Sequence, residues 1–376
     1  MRRRRFLQAS LMTMSGLALA ACDDPAPASA PVEGTSMTPA EATRSWLMPE
    51  EGQPHKRTWM AFGASEKIWG ARLLLRVRQN LATIATTIAR YEPVSMLVRP
   101  SEVDLARGLV GPGVELVAVE VDDLWIRDTG LVFVKSGGDR AGVDFNFNGW
   151  GGKQEHGHDA GVARFVAGRA AVETVRTDLV MEGGGLEVDG EGTAIITESC
   201  VLNSNRNRHR TKADVESALA RLLGIKKVIW LPGIAGKDIT DGHTDFYARF
   251  AGPGVVVAGL DNDTDGFDYE VTRRHLEILR AATDAKGRKL RVETLEAPTT
   301  LRAKDTGKDF AAGYINFYVC NGAVIAPEFG DPTADPATQA TLARLFPGRE
   351  VVQIDIDAIA AGGGGIHCTT QQEPAA

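Results

Sequence analysis

The sequence predicts an α/β protein arranged as a five-bladed, pseudo-symmetric ring, and three observations carry that reading. Helix-period stretches alternate with short β-branched ones from about residue 44 to the C-terminal end, with no linker between them. Four polar, glycine-flanked segments interrupt otherwise apolar strands, and Asp128, Glu182, His243 and Cys368 within them fall 54, 61 and 125 residues apart. The last gap is about twice the others, so one unit of about 60–65 residues, used about five times, would bring each segment to a shared axis. The 41 glycines and 6 % aromatic content fit many turns and argue against a coiled coil.

Taken in order, the chain begins with Met1 and four arginines, followed by an apolar stretch from Phe6 to Ala21. That is a positive n-region and a short h-region, too brief for a comfortable membrane span. Arg3-Arg4 followed by Phe6-Leu7 resembles a twin-arginine export signal, and Leu19-Ala20-Ala21-Cys22 resembles a bacterial lipobox in which Cys22 would be lipidated. Residues 1–21 are therefore read as a signal peptide. Residues 22–43 are read as a lipidated cysteine with a Pro/Ala/Ser/Thr-rich tether, and 44–376 as one folded domain. The expected location is exported, periplasmic or cell-surface, with a lipid anchor in the membrane.

Within the domain, apolar spacing predicts helices over 71–90, 211–223, 268–284 and 335–346. Strands are predicted at 94–98, 114–121, 131–134, 193–197, 226–231, 255–260, 315–319 and 323–326. The unit without an acid would contain the strand around Tyr314–Tyr318.

Charge narrows the class of partner. The net charge of −7 becomes −11 once the four leader arginines are removed, which argues against nucleic acid and for a cationic partner. Beyond Cys22 the chain keeps Cys200, Cys320 and Cys368, an odd number that leaves at least one free thiol in an exported protein. Cys200 and Cys320 lie in apolar, strand-like surroundings and read as buried, inert thiols. Cys368 does not.

Cys368 follows four consecutive glycines, Gly362–Gly365, whose ordering costs backbone entropy and needs a reason. No Gly-Lys-Ser/Thr follows, so a phosphate loop is a poor match. A loop that lets main chain close on a small planar group and present a thiolate nucleophile is the better one. His243 is its natural partner, and in an extended segment it would share a face with Asp245. Asp128 and Glu182 add two carboxylates, with Trp125 three residues before Asp128. Three acids oppose ionisation of a nearby thiol unless a cation sits among them. A guanidinium is planar, permanently charged and matched to carboxylates, and the same acids would keep His243 protonated for a leaving amine.

The chain resembles the agmatine deiminases, in the family that includes the bacterial-type peptidylarginine deiminases. The matching segments include DDLWIRDTG (122–130), FNGWGGK (147–153), EGGGLEVDGEGT (182–193), TESCVLNSNRNR (197–208), DGHTDFYARF (241–250), YINFYVCNG (314–322) and GGGGIHCTTQQEP (362–374). The resemblance runs in order from about residue 46 to 374. It implies the pentein fold of five ββαβ units and a hydrolase that releases ammonia from a guanidine without metal or organic cofactor. On that resemblance Cys368 attacks the guanidinium carbon and His243 is the general acid and base. Asp128 and Asp245 hold the guanidinium nitrogens, Glu182 orients His243 or the bound group, and Trp125 lines the substrate. An amidino group would be carried on Cys368 before water releases a ureido product, which from agmatine is N-carbamoylputrescine.

The chain departs from the family at Glu51-Gly52 (usually Glu-Trp), Phe62-Gly63 (usually Trp-Pro) and Asn207-Arg208 (usually Asn-Pro). The first two bear on the end of the substrate away from the guanidinium, so arginine, free or at peptide C-termini and converted to citrulline, is the alternative. A small guanidine substrate and the membrane are the expected partners, nucleic acid is not, and a homo-oligomer is allowed.

Three other readings compete. A zinc hydrolase using His243, Asp245 and Cys368, with His156 and His158, lacks His-Glu-x-x-His and paired Cys-x-x-Cys spacing. A non-catalytic guanidinium-binding lipoprotein needs no nucleophile. An amidinotransferase shares the first half of the chemistry.

Overall fold

The strands pair with their sequence neighbours in one repeating pattern. The structure, a computed structural model, describes residues 44–303, 306–307 and 309–376. The expected leader, Cys22 and tether lie outside the described residues. The first blade holds β1 (His55–Phe62), the helix Glu66–Ile88, β2 (Val94–Val98), the helix Val103–Val110 and β3 (Val114–Ala118). The second holds β4 (Val132–Ser136), β5 (Asp139–Asp144), the helix Val162–Ala170 and β6 (Glu173–Arg176). The third holds β7 (Leu186–Val188), β8 (Thr193–Thr197), the helix Lys212–Leu223 and β9 (Lys227–Leu231). The fourth holds β10 (Ala248–Gly252), β11 (Val255–Leu260), the helix Tyr269–Ala281 and β12 (Arg291–Glu296). The fifth holds β13 (Tyr318–Cys320), β14 (Ala323–Glu328), the helix Ala334–Leu345 and β15 (Glu350–Asp355), and the chain ends in β16 (Gln371–Pro374).

In blades two to five the first two strands pair antiparallel and the second and third parallel, the helix making the crossover. In blade one the antiparallel partner of β1 is β16, from the other end of the chain. The C-terminal strand thus completes the N-terminal blade, and the five ββαβ units make the pentein propeller.

Local sequence explains the elements. The helix Lys212–Leu223 opens on a capping box: Asp214 N–H donates to the Thr211 hydroxyl, and Thr211 N–H to the Asp214 carboxylate. It closes on Gly224 at φ 69°. The helix Glu66–Ile88 buries Val77, Leu81, Ile84, Ala85 and Ile88, a single face at helical spacing. It begins five residues before its predicted start, with a kink at Gly70.

The strands predicted at 94–98, 193–197 and 255–260 coincide with β2, β8 and β11. The strand predicted at 315–319 is corrected: only Tyr318–Cys320 is strand, and Asn316 lies in irregular backbone before it. Short strands such as β6, exposed at both ends and bearing Glu173 and Arg176, carry too little apolar signal to be predicted.

Candidate active site

Each antiparallel strand pair is preceded by a short irregular or helical turn, and those turns bring the polar segments together. The turn Ile126–Thr129 carries Asp128 ahead of β4, and Gly183–Gly185 follows Glu182 ahead of β7. His243 opens the turn Thr244–Phe246, which holds Asp245 ahead of β10. Asn316 lies ahead of β13, and the turn His367–Thr369 carries Cys368 ahead of β16. All six polar residues are buried. His243 and Asp245 do not alternate along an extended segment as expected. Asp245 reaches the same space from a tight turn.

Asn316 and Cys368 clasp each other: the Asn316 amide donates to Cys368 Sγ (3.2 Å), and Cys368 N–H donates to Asn316 Oδ1 (3.2 Å). The thiol donates to Asp245 Oδ2 (3.5 Å), which also faces His367 Nδ1 at 2.8 Å. Asp245 Oδ1 is buried with no hydrogen-bond partner among the described residues. Opposite, His243 Nε2 lies 3.3 Å from Glu182 Oε2, while its Nδ1 has no hydrogen-bond partner among the described residues and sits 3.7 Å from Asp128 Oδ1. Asp128 accepts from Gly184 N–H (3.0 Å) and from the Trp150 indole (2.9 Å). Arg206 Nε donates to Glu182 Oε1 (2.9 Å), and so fixes the carboxylate that faces His243.

Charge states follow from these neighbours. Burial, then Asp245 and Asp128, pushes the Cys368 thiol well up and keeps it neutral. Burial would lower His243, but Asp128, Cys200 and Glu182 outweigh it and hold the imidazole well above its usual range. Burial and the like charges of Asp245 and Glu182 raise Asp128. Asp245 and Glu182 are held low despite burial, the first chiefly by His367 and the second by His243 and Arg206. The arrangement therefore holds a neutral thiol, an imidazolium and a carboxylate oxygen without a donor in one buried space, which a planar cation would complete.

The glycines have a spatial reason. A Cβ on Gly184 would lie 2.6 Å from His243 Nδ1 and 2.8 Å from Asp128 Oδ1, inside the space between them. Gly362 and Gly364 pass so close to the Trp69 and Trp125 rings that a Cβ would come within 2.2 and 2.1 Å. Gly365 meets Asn316 in the same way, at 2.4 Å. Trp125 stacks on Trp69 (5.7 Å between centroids), whose indole donates to Asp123 (2.8 Å), so both rings wall the loop that carries Cys368.

Sequence reasoning missed Asn316, Trp150, Arg206 and His367. Asn316 occupies the place of the unit without an acid, 73 residues after His243 and 52 before Cys368, and the repeat spacing could have found it. His367 stands beside Cys368, but nothing local to it signals that it faces Asp245. It also missed a charge network directly beneath. Glu51 receives Arg127 (3.0 Å), Arg249 (2.8 Å), His367 (2.9 Å) and the Val319 N–H (2.9 Å). Arg249 continues to Glu187 (2.8 Å).

Two expectations are corrected. Cys200 is not in apolar surroundings: its thiol donates to Glu182 Oε2 (3.6 Å), whereas Cys320 is buried at the end of β13. The competing zinc set of His243, Asp245 and Cys368 with His156 and His158 does not gather around one point among the described residues: His156 packs on Phe147, and its Nδ1 donates to the Gln154 carbonyl.

The model of the Porphyromonas-type peptidyl-arginine deiminases matches residues 47–374. An agmatine deiminase of Pseudomonas aeruginosa is 38% identical over 354 residues, covering 87% of this chain and 95% of that protein. The structure of Enterococcus faecalis agmatine deiminase is similar at TM-score 0.83 and 31% identity, covering 90% of this chain and 98% of that one. A cysteine-to-serine variant of C. jejuni agmatine deiminase with substrate bound follows at TM-score 0.77 and 25% identity, covering 87% and 96%.

Proposed function

The chain belongs to the Porphyromonas-type peptidyl-arginine deiminase family, and on that premise we propose that it converts agmatine to N-carbamoylputrescine and ammonia through an amidino group carried on Cys368. The chain is a hydrolase of carbon–nitrogen bonds in linear amidines. The observation that carries the finer reading is the pair of buried atoms without partners among the described residues, Asp245 Oδ1 and His243 Nδ1, on a carboxylate and an imidazole that both border Gly184, the same carboxylate accepting from the Cys368 thiol.

A guanidinium entering there donates to Asp245 Oδ1 and lies beside Asp128. Its charge offsets the two carboxylates that hold the Cys368 thiol up, and the thiol proton leaves to solvent. The thiolate attacks the guanidinium carbon, and the imidazolium of His243 gives its proton to the departing nitrogen, which leaves as ammonia. His243, now neutral, takes a proton from water as the oxygen adds to the same carbon. The carbon–sulfur bond then breaks as the hydroxyl proton leaves to solvent, which forms the ureido product and restores the Cys368 thiolate and the His243 imidazolium. Glu182, pinned by Arg206, steadies the imidazole through both transfers. Trp125 and Trp69 form an apolar wall behind the nucleophile loop and exclude water from its far side.

Ammonia release is measured on agmatine, free arginine and a peptide ending in arginine, beside Cys368→Ala. Release from agmatine, absent in the variant, is expected. Release from arginine or the peptide alone would move the substrate to the arginine branch. Equal behaviour of wild type and variant would sink the nucleophile. The leader supports an exported, lipid-anchored protein, and Cys22→Ser is expected to move it from the membrane to the soluble fraction.

A further inference from the structure

On the Nε2 side of the His243 imidazole two hydrogen-bond donors converge on a single oxygen. His243 Nε2 lies 3.3 Å from Glu182 Oε2, and Cys200 Sγ lies 3.6 Å from the same atom. Nitrogen, oxygen and sulfur all lie within 4.8 Å of one another, and all three residues are buried. Among the described residues this is the group of three that gathers within reach of one ion.

Two of the three edges between these atoms fit a tetrahedral ion. Zinc holds nitrogen and oxygen at about 2.0 Å and sulfur at about 2.3 Å, which puts neighbouring N and O ligands about 3.3 Å apart and S and O about 3.5 Å apart. Those are the two edges seen. The second oxygen of Glu182 is already held by Arg206 at 2.9 Å, so the carboxylate is oriented as an outer partner would orient a ligand. Gly185 leaves one flank open: a Cβ there would stand 3.6 Å from Cys200 Sγ and 3.8 Å from His243 Nε2.

We propose that Glu182, Cys200 and His243 form an inhibitory site for a thiophilic divalent cation of the zinc type. Binding forms metal–sulfur, metal–nitrogen and metal–oxygen bonds and releases two protons, one from the Cys200 thiol and one from His243 Nε2. A charge of +2 enters as two protons leave, so the buried cluster keeps its net charge. With Nε2 held by the ion, His243 cannot return to the imidazolium that donates to the leaving nitrogen, and deimination stops. The loss of activity rests on the deiminase reading; the ligand set does not.

The test counts bound zinc on the whole chain after chelator stripping, in wild type, Cys368→Ala and Cys200→Ser, with fold checked by circular dichroism. One equivalent is expected in wild type and in Cys368→Ala. Loss of even an outer-shell partner costs about 10–100-fold in metal affinity, so Cys200→Ser should weaken binding at least about tenfold. Cobalt in Cys368→Ala should give a sulfur-to-metal absorption band that is missing when Cys200 is also Ser. Ammonia release by wild type should fall with zinc and return with chelator. Unchanged affinity in Cys200→Ser, or no bound zinc in wild type, would overturn the site. A chain with no deiminase activity that still bound zinc through Cys200 would overturn the functional reading alone.

Discussion

Two buried charge clusters meet where the blades converge, and they are built to opposite rules. The lower one joins Glu51 and Glu187 to Arg127, Arg249 and His367, and every carboxylate in it faces at least one cation. The upper one, around Cys368, leaves Asp245 Oδ1 and His243 Nδ1 without hydrogen-bond partners among the described residues and sets two carboxylates, Asp245 and Asp128, against a neutral thiol. Native interiors satisfy nearly all buried polar atoms, so the orphaned pair marks where stability has been given up for binding. His367 joins the two: one ring nitrogen faces Glu51 and the other faces Asp245 Oδ2, so the satisfied cluster holds the unsatisfied one in register.

That contrast can be broken by exchanging the readouts. Glu51→Ala strips two guanidiniums and an imidazole of their shared carboxylate and is expected to cost about 3–5 kcal/mol of stability, read as a lowered denaturant midpoint. A loss below about 1 kcal/mol would show that the lower cluster is not structural. Asp245→Asn keeps an acceptor for His367 but removes the charge, so stability should change little. Its kcat/KM for the guanidine should drop about 10²–10³-fold, or about 2.7–4 kcal/mol of transition-state stabilisation. Equal losses of stability in the two variants would erase the distinction between the clusters.

The smallest effect is a slope. His243 is held well above its unfolded value of 6.5, so the folded state binds a proton that the unfolded state has released once the pH exceeds that value. Its contribution is full below about pH 6.5 and is lost as pH rises through the folded pKa, at about 1.4 kcal/mol per pH unit. Cys368 adds a loss of the same sign above its unfolded value of 9.0, because burial keeps the folded thiol neutral. Urea melts from pH 6.5 upward should therefore weaken, and His243→Asn should flatten the part of that fall between 6.5 and 9. An unchanged slope in the variant would assign the proton elsewhere.

The site was legible where chemistry and glycine stand together in sequence. Asp128, Glu182, His243, Asp245 and Cys368 each lie next to glycine or an acid within a few residues, and their recurrence traced the ring. Asn316 was lost because a neutral amide between Ile315 and Phe317 carries no charge signal, and its strand was predicted to start three residues early. Cys200 was misread because the apolar residues near it, the strand 193–197 and Val201-Leu202, masked a neighbour in space, Glu182, 18 residues away.

The sequence by itself determined the order of the polar segments, the α/β unit that repeats between them, and which thiol and imidazole enter the buried cluster. Only the tertiary structure decided which atoms of those residues are satisfied. Hydrogen bonds that settle it join residues far apart along the chain, His367 to Glu51 across 316 positions and Cys368 to Asn316 across 52. Closure of β16 onto β1 brings the two ends of the described chain into one sheet, and no local pattern encodes a contact of that range.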